Sequence, residues 1–376
     1  ALPAFAGRYR LSGFLVPDAA HCEIPTAAGS GLSGSHIRKQ GLWNMMDMPK
    51  ILVVGSFVKD LIVSTPRFPN AGETVLGNSF QTASGGKGAN QAIQAARLGA
   101  HVTMVGKVGD DVYGREMISS CLECGIDCSR VMMDDKAPSS IGNVQLQIGQ
   151  DGKTQNRIIV VPGANMAIQK EDIRFLETEI ANYDMVLLQL EIPMEINELV
   201  AEYAYQKNVP VMLNSAPSAQ ISDCLISKLT YISPNECEAA DLTGIRIHRN
   251  GQNVNEKDVK AVIHSLIERG AQNVLITLGS MGAAFGNKKE FYLCPAVKNV
   301  SAVDPTGAGD SFVGAFCTLV SMGIDYERAV SIANYVGALT VSHMGAQPSL
   351  PSLEQVKALI HERDDDVLLG LQKAAV

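Results

Sequence analysis

From residue 48 onward, short apolar runs alternate with helical patterns. Ile51-Leu52-Val53-Val54 ends at Gly55, and similar runs recur at 101–105, 185–190, 209–213, 231–233 and 274–277. Runs of this length without polar interruption read as strands buried on both faces. Between them, helical spacing covers 89–98 (closed by Gly99), 192–207 and 256–269 (closed by Gly270). The alternation predicts an α/β fold, a three-layer α/β/α sandwich with a mainly parallel central sheet. Two segments depart from it. Residues 61–82 and 141–161 alternate polar and apolar positions, carry turn residues and lack helical spacing. They predict a separate small β-sheet, a lid formed from about 60–84 and 139–163.

Residues 1–47 fit neither pattern. They hold a Gly/Ser cluster at 29–35 and the sole tryptophan, Trp43, and they lack a signal peptide's clean apolar core and cleavage site. Met48 reads as the natural start, 1–47 as a leader or appended segment of little order, and 48–376 as one domain. Composition adds exclusions. With 46% hydrophobic and 19% charged residues, the chain can bury a large core, and disorder is excluded. Lys plus Arg total 31 against 39 Asp plus Glu, a formal charge of -8. An acidic chain without a long basic run is not built for nucleic acid. No apolar run approaches the ~20 residues of a membrane-spanning helix, so no membrane partner is expected. The eight cysteines are scattered, which suits reduced thiols in a cytoplasmic protein. Cys121, Cys124 and Cys128 have a suggestive spacing, but no fourth ligand stands near them to complete a metal set.

Two glycine clusters carry the chemistry. Asp304-Pro305-Thr306-Gly307-Ala308-Gly309-Asp310 leads into an apolar helical run. Small residues let the backbone approach a ligand, and a helix N-terminus offers unpaired N–H groups to an anion. Asp310 there reads either as a base for an attacking hydroxyl or as a helix-capping acid. The second cluster, Ser84-Gly85-Gly86-Lys87-Gly88-Ala89-Asn90, also opens a helix. Its spacing matches neither a phosphate-binding P-loop nor a dinucleotide fingerprint. What remains is a close backbone approach with Lys87 and Asn90 as donors to a polyhydroxylated ligand, or a plain helix-start turn.

Together the clusters resemble the G-G-K-G-A-N and D-x-x-G-A-G-D signatures of the ribokinase family of sugar kinases. The resemblance runs from Met48 to about residue 360. It includes Gly55-Ser56 with Asp60, Pro69 to Thr74, Val108 to Asp111, Gly163-Ala164-Asn165 and Gln189-Leu190-Glu191. Pro234 to Glu238, Thr277 to Ser280 and Gly345 to Ser349 complete it. The resemblance implies ATP-dependent phosphorylation of a sugar hydroxymethyl group, with Asp310 as base and Gly307, Ala308 and Gly309 as anion hole. It implies sugar contacts from Asp60, Gly86, Lys87, Asn90 and Glu191. Asn235, Thr277, Gly279, Gly282 and Asn334 would meet the nucleotide, and Glu238 would help place Mg²⁺. Asp304, Thr306, Thr340, His343, Gly345 and Ser349 match a K⁺ loop that acts mostly through backbone carbonyls. A homodimer through the lid is the assembly it implies.

One departure bears on the sugar. Typical ribokinases carry asparagine two residues before the sugar-binding aspartate, on the side of the 2-hydroxyl; here that residue is Val58. Related deoxyribokinases are apolar there. Valine offers no hydrogen bond to a buried hydroxyl, at a cost of ~1–3 kcal/mol. The expected substrate is therefore 2-deoxy-D-ribose ahead of D-ribose. The alternatives are another sugar or nucleoside kinase of the family, or a sugar-responsive regulator on the same scaffold.

Overall fold

A computed structural model describes residues 48–148, 154–251 and 253–363. The expectations for residues 1–47, for 364–376 and for the tip of the second insertion lie outside the described residues. The chain enters through β1 (Lys50–Val54), then forms β2 (Val58–Thr65) and β3 (Ser79–Gly85). It continues through α1 (Lys87–Arg97), β4 (His101–Gly109), α2 (Val112–Glu123), β5 (Asp127–Asp134), β6 (Ile141–Ile148) and β7 (Thr154–Val161). Next come α3 (Leu176–Glu179), β8 (Met185–Leu188), α4 (Met194–Gln206), β9 (Val211–Asn214), α5 (Asp223–Ile226), β10 (Tyr231–Ser233) and α6 (Glu236–Thr243). A ribbon of β11 (Arg249–Asn250) and β12 (Asn253–Val254) leads to α7 (Glu256–Glu268), β13 (Asn273–Thr277), β14 (Ala283–Asn287) and β15 (Phe291–Cys294). Helices α8 (Ala308–Ser321), α9 (Tyr326–Val341) and α10 (Leu353–Glu362) follow.

Nine strands form one sheet in the order β15-β14-β13-β10-β9-β8-β1-β4-β5. It is parallel from β13 to β5, and β14 and β15 add an antiparallel edge. The uninterrupted apolar run of β1 has a direct cause. Ile51 and Val53 pack in a core with Ile93 of α1, Phe316 of α8 and Val336 of α9. Leu52 and Val54 pack in a second core, with Ile196 and Val200 of α4 and Val262 and Leu266 of α7. Each face buries alternate residues, so both sets must be apolar. This is the expected three-layer α/β/α sandwich with a mainly parallel central sheet. Among the described residues, no helix is long and apolar enough to cross a membrane.

The two helix-free segments supply a four-stranded sheet in the order β3-β2-β6-β7. Strand β2 sits between antiparallel β3 and parallel β6, so that Asp60 lies opposite Ala83 on one side and Gly142 on the other. In the large sheet, β1 is the switch point, flanked by β4 and β8. Connections leave its neighbours in opposite directions and open a crevice beyond the carboxyl ends of β1 and β8, where open α/β sheets bind ligands. Helix α1 starts hard against this edge. A Cβ at Gly88 would lie 2.5 Å from the Ser56 nitrogen.

Candidate active site

Helix α8 begins at the crevice from a tight corner. Gly307 caps it with φ +78°, in the left-handed region that favours glycine. Asp304 braces the corner. Its Oδ1 accepts from the Thr306 amide (3.0 Å) and hydroxyl (2.6 Å), and its Oδ2 accepts from the Gly345 amide (2.9 Å). Of the three residues expected to form an anion hole, Ala308 donates its amide to Pro305 O at 3.2 Å. Asp310 falls in the first turn of α8, nearly buried. Asn90 Nδ2 donates to its Oδ2 at 2.8 Å and Gln91 Nε2 to its Oδ1 at 3.2 Å. The chain between Asn90 and Asp310 spans 220 positions, and the fold closes it to one hydrogen bond.

Helix α1 contributes the other wall. Gly86 has φ +95°, and a Cβ there would lie 2.7 Å from the Val58 nitrogen. Glu191, just past β8, accepts from the Lys87 amide at 3.0 Å and from Ser56 Oγ at 2.5 Å. Ser56 in turn accepts from the Gly88 amide at 3.3 Å. The Lys87 ammonium is deeply placed. Burial disfavours its charge, but Asp310, Glu191 and Glu238 outweigh that and raise its pKa above the ordinary lysine value.

Val58, Asp60, Gly86, Lys87, Asn90, Glu191, Asp304, Thr306, Gly307, Asp310 and Gly345 line one cavity of about 960 Å³, roofed by β6 and β7. Alternation along β2 explains which side chains enter. Val58 and Asp60 face the cavity, while Lys59 between them reaches Glu116 on α2 at 2.8 Å. Glycines leave room for the Asp60 carboxylate. A Cβ at Gly142 would lie 2.3 Å from its Oδ1, and one at Gly85 3.2 Å from its Oδ2. Its pKa is pushed up to about 6, by burial first and then by Glu191, with Lys59 acting the other way.

The expected nucleotide residues lie apart from this cavity. Asn235 and Thr277 meet in a parallel bridge beyond β10 and β13. Asn235 and Glu238 cap α6 reciprocally: Asn235 Oδ1 accepts from the Glu238 amide at 2.9 Å, and Glu238 Oε2 accepts from the Asn235 amide at 2.9 Å. Burial raises the Glu238 pKa against that amide bond and Lys87. Gly279 and Gly282 both have positive φ, and a Cβ at Gly282 would lie 2.1 Å from Cys294 O. The loop it touches walls a second cavity of about 380 Å³ that includes Asn334. Asn334 Nδ2 donates to Cys294 Sγ and Pro295 O, each at 3.2 Å.

Around the Asp304 corner the remaining side chains are largely spent locally. Thr340 bonds to Val336 O and Ser311 Oγ, each at 2.9 Å, and Ser349 donates to Ala346 O at 2.7 Å. His343 Nδ1 lies 3.0 Å from Leu339 O. Three contributors escaped sequence reasoning as site residues: Ser56, Gln91 and Gln189. Gln91 and Gln189 are buried amides within apolar stretches, and a polar residue at a buried position was the available signal.

An acid at a helix N-terminus, a half-buried lysine and further carboxylates surround one crevice, and similarity to known kinases assigns the chain as a phosphotransferase acting on a sugar hydroxyl. Residues 48–353 match the model of the pfkB family carbohydrate kinases, and the chain belongs to that family. It is a ribokinase-type sugar kinase. The ribokinase of Bacillus subtilis is 37% identical over 83% of this chain and all of its own length. A deoxyribokinase of Salmonella typhi is 33% identical over 81% of this chain and 96% of its own. The structure of Arabidopsis thaliana ribokinase complexed with ribose and ATP superimposes with TM-score 0.76 at 32% identity, covering 84% of this chain and 99% of its own.

A pH effect follows from Asp60. Its folded pKa is raised from 3.8 to about 6, so the stabilisation is fully present below 3.8 and is lost as pH rises through about 6. Compared with Asp60→Asn, the ligand-free wild type should lose on the order of 3 kcal/mol across that window. Thermal unfolding of both proteins from pH 4 to 7 (roughly the window of the shift) checks this, and parallel Tm curves would refute it.

Proposed function

We propose that this chain transfers the γ-phosphoryl group of ATP to the 5-hydroxyl of a pentose, with 2-deoxy-D-ribose preferred to D-ribose. The observation that carries the reading is Asp310, gripped by two amides at the start of α8 and opening onto the cavity that holds Asp60, Lys87 and Glu191. Asp60, Asn90 and Glu191 bind the sugar hydroxyls. Asp310 accepts the 5-hydroxyl proton as that oxygen bonds to the γ-phosphorus and the bond to the β-phosphate oxygen breaks, releasing ADP. The α8 N-terminus at Gly307, Ala308 and Gly309 and the Lys87 ammonium offset charge on the transferred group. The cavity at Asn334, backed by Gly282, receives the nucleotide, with Asn235, Thr277 and Gly279 toward its phosphates.

Glu238 suits Mg²⁺ held through water. It is one nearly buried carboxylate, both of whose oxygens accept from Asn235, and Mg²⁺ commonly binds through one or two carboxylates, waters and phosphates. Bound there, the ion would neutralise phosphate charge. At the Asp304 corner K⁺ would be held through backbone carbonyls, since the Asp304 oxygens and the Thr340 and Ser349 hydroxyls are already engaged.

Ribokinases and a deoxyribokinase resemble the chain comparably, so the sugar preference rests on Val58. It stands two residues from Asp60 on the cavity wall and offers a 2-hydroxyl no partner. Assembly rests on the outer face of the small sheet. Phe80 and Ile159 are each 64% exposed there, on the side opposite Gln81 and Ile158. An apolar sheet face of this kind fits a homodimer through the lid.

Asp310→Asn should fold normally and lose at least about 100-fold in turnover; near-normal kcat would remove Asp310 as base. Val58→Asn should shift the kcat/KM ratio toward ribose by about tenfold, and an unchanged ratio would defeat the selectivity argument. Both are read by ADP release with Mg²⁺ and K⁺, using each sugar, with tetramethylammonium in place of K⁺ as the cation control. Ile159→Glu should convert a dimer to monomer in sedimentation; a monomeric wild type would exclude the proposed assembly.

A further inference from the structure

Behind Asp310 lies a row of amides that never reaches the cavity. Gln91 and Gln189 are fully buried, and neither lines the sugar site. Gln91 Nε2 donates to Asp310 Oδ1 at 3.2 Å, and Gln91 Oε1 accepts from Gln189 Nε2 at 2.8 Å. The main-chain oxygen of Gln189 accepts from Asn197 Nδ2 at 2.8 Å. The row has one sense. A carboxylate only accepts, so Gln91 must present its NH₂ to Asp310, and its carbonyl then requires the donor that Gln189 supplies. Flipping Gln91 would set oxygen against oxygen at one end and NH₂ against NH₂ at the other.

The arrangement is kept at a cost. Gln189 Oε1 is buried without a partner among the described residues, and Gly55 leaves it room: a Cβ there would lie 2.0 Å away. A core designed only for packing would fill this space with apolar side chains.

We propose that Gln91, oriented by Gln189, is a positioning residue that fixes the plane of the Asp310 carboxylate and keeps it turned into the cavity. The inference rests on Asp310 being the base. The terminal torsion of an aspartate is broad, and Lys87 is a cation close enough to feel the Asp310 charge. Asn90 alone holds one oxygen. The second grip, on the other oxygen, prevents the carboxylate from rotating toward the ammonium and away from the sugar hydroxyl.

The test uses the apolar near-isosteres Gln91→Met and Gln189→Met, singly and together, in the full chain. In Gln91→Met, kcat should fall at least about tenfold, as for a lost bond to a charged group, with little change in sugar KM. The acid limb of the kcat–pH profile should move to higher pH, because removing a donor to the charged form raises its proton affinity. Gln189→Met should move both in the same direction although it does not touch Asp310, and the double variant should be no worse than Gln91→Met. A folded Gln91→Met protein with wild-type kcat and an unmoved acid limb would overturn the proposal, as would additive losses at an unchanged pH profile. If Gln91→Met does not fold, Gln189→Met decides by the same two readouts. Asp310→Asn run alongside separates the failures: if it stays active, the base assignment falls, and if it is inactive while Gln91→Met is normal, only the positioning role falls.

Discussion

The hydrogen bond between Asn90 and Asp310 is the contact on which the site depends. It joins the first turns of α1 and α8, which come from opposite ends of the described chain. Neither helix could reach it without the glycines at their starts. Gly88 lets α1 press on the end of β1, and Gly307 lets α8 leave its corner in a left-handed turn. Two helix N-termini thus converge where the parallel sheet changes direction, and their aligned backbone dipoles favour negative charge there.

That preference meets a site already crowded with acids. Glu191, Glu238 and Asp310 share the field of the Lys87 ammonium, while Asp60 feels Glu191 and, from the other side of its strand, Lys59. Each acid is managed differently. Glu191 is tied by a hydroxyl and an amide, Glu238 is folded into a helix cap, Asp310 is gripped by two side-chain amides, and Asp60 holds its proton more tightly. A nucleotide would bring further negative charge into the same neighbourhood, which is the physical reason a divalent cation belongs in the proposed reading.

Legibility in the sequence followed burial. Strands β1, β8, β9, β10 and β13 were readable because both faces are covered, leaving uninterrupted apolar runs. Strands β5, β14 and β15 were not. They sit toward the sheet edges, and the face of β14 toward α7 carries small residues, Ala284 and Gly286, because that helix packs closely; a Cβ at Gly286 would lie 2.8 Å from Ile263. The glycine clusters stood out because their composition is unusual for a helix start. Gln91 and Gln189 did not stand out as a pair, although Gln189 falls within a quoted motif, since a side-chain amide gives no sign in the sequence of the distant partner it meets. The pairing of Asn235 with Glu238 has a double meaning: as a motif it points to nucleotide, and in the fold its polar atoms are visibly spent capping α6.

Strand β2 forms part of the wall of the large cavity. Along β2, Val58 and Asp60 look inward while Lys59 looks the other way. A slip of one residue in pairing would turn this wall inside out, trading a carboxylate for an ammonium at the cavity. Gly85 and Gly142 guard against it, because only their missing side chains leave space for the Asp60 carboxylate on the neighbouring strands. The two glycines therefore work as a proofreading device for strand alignment, with the chemistry of the cavity written into the register of the sheet.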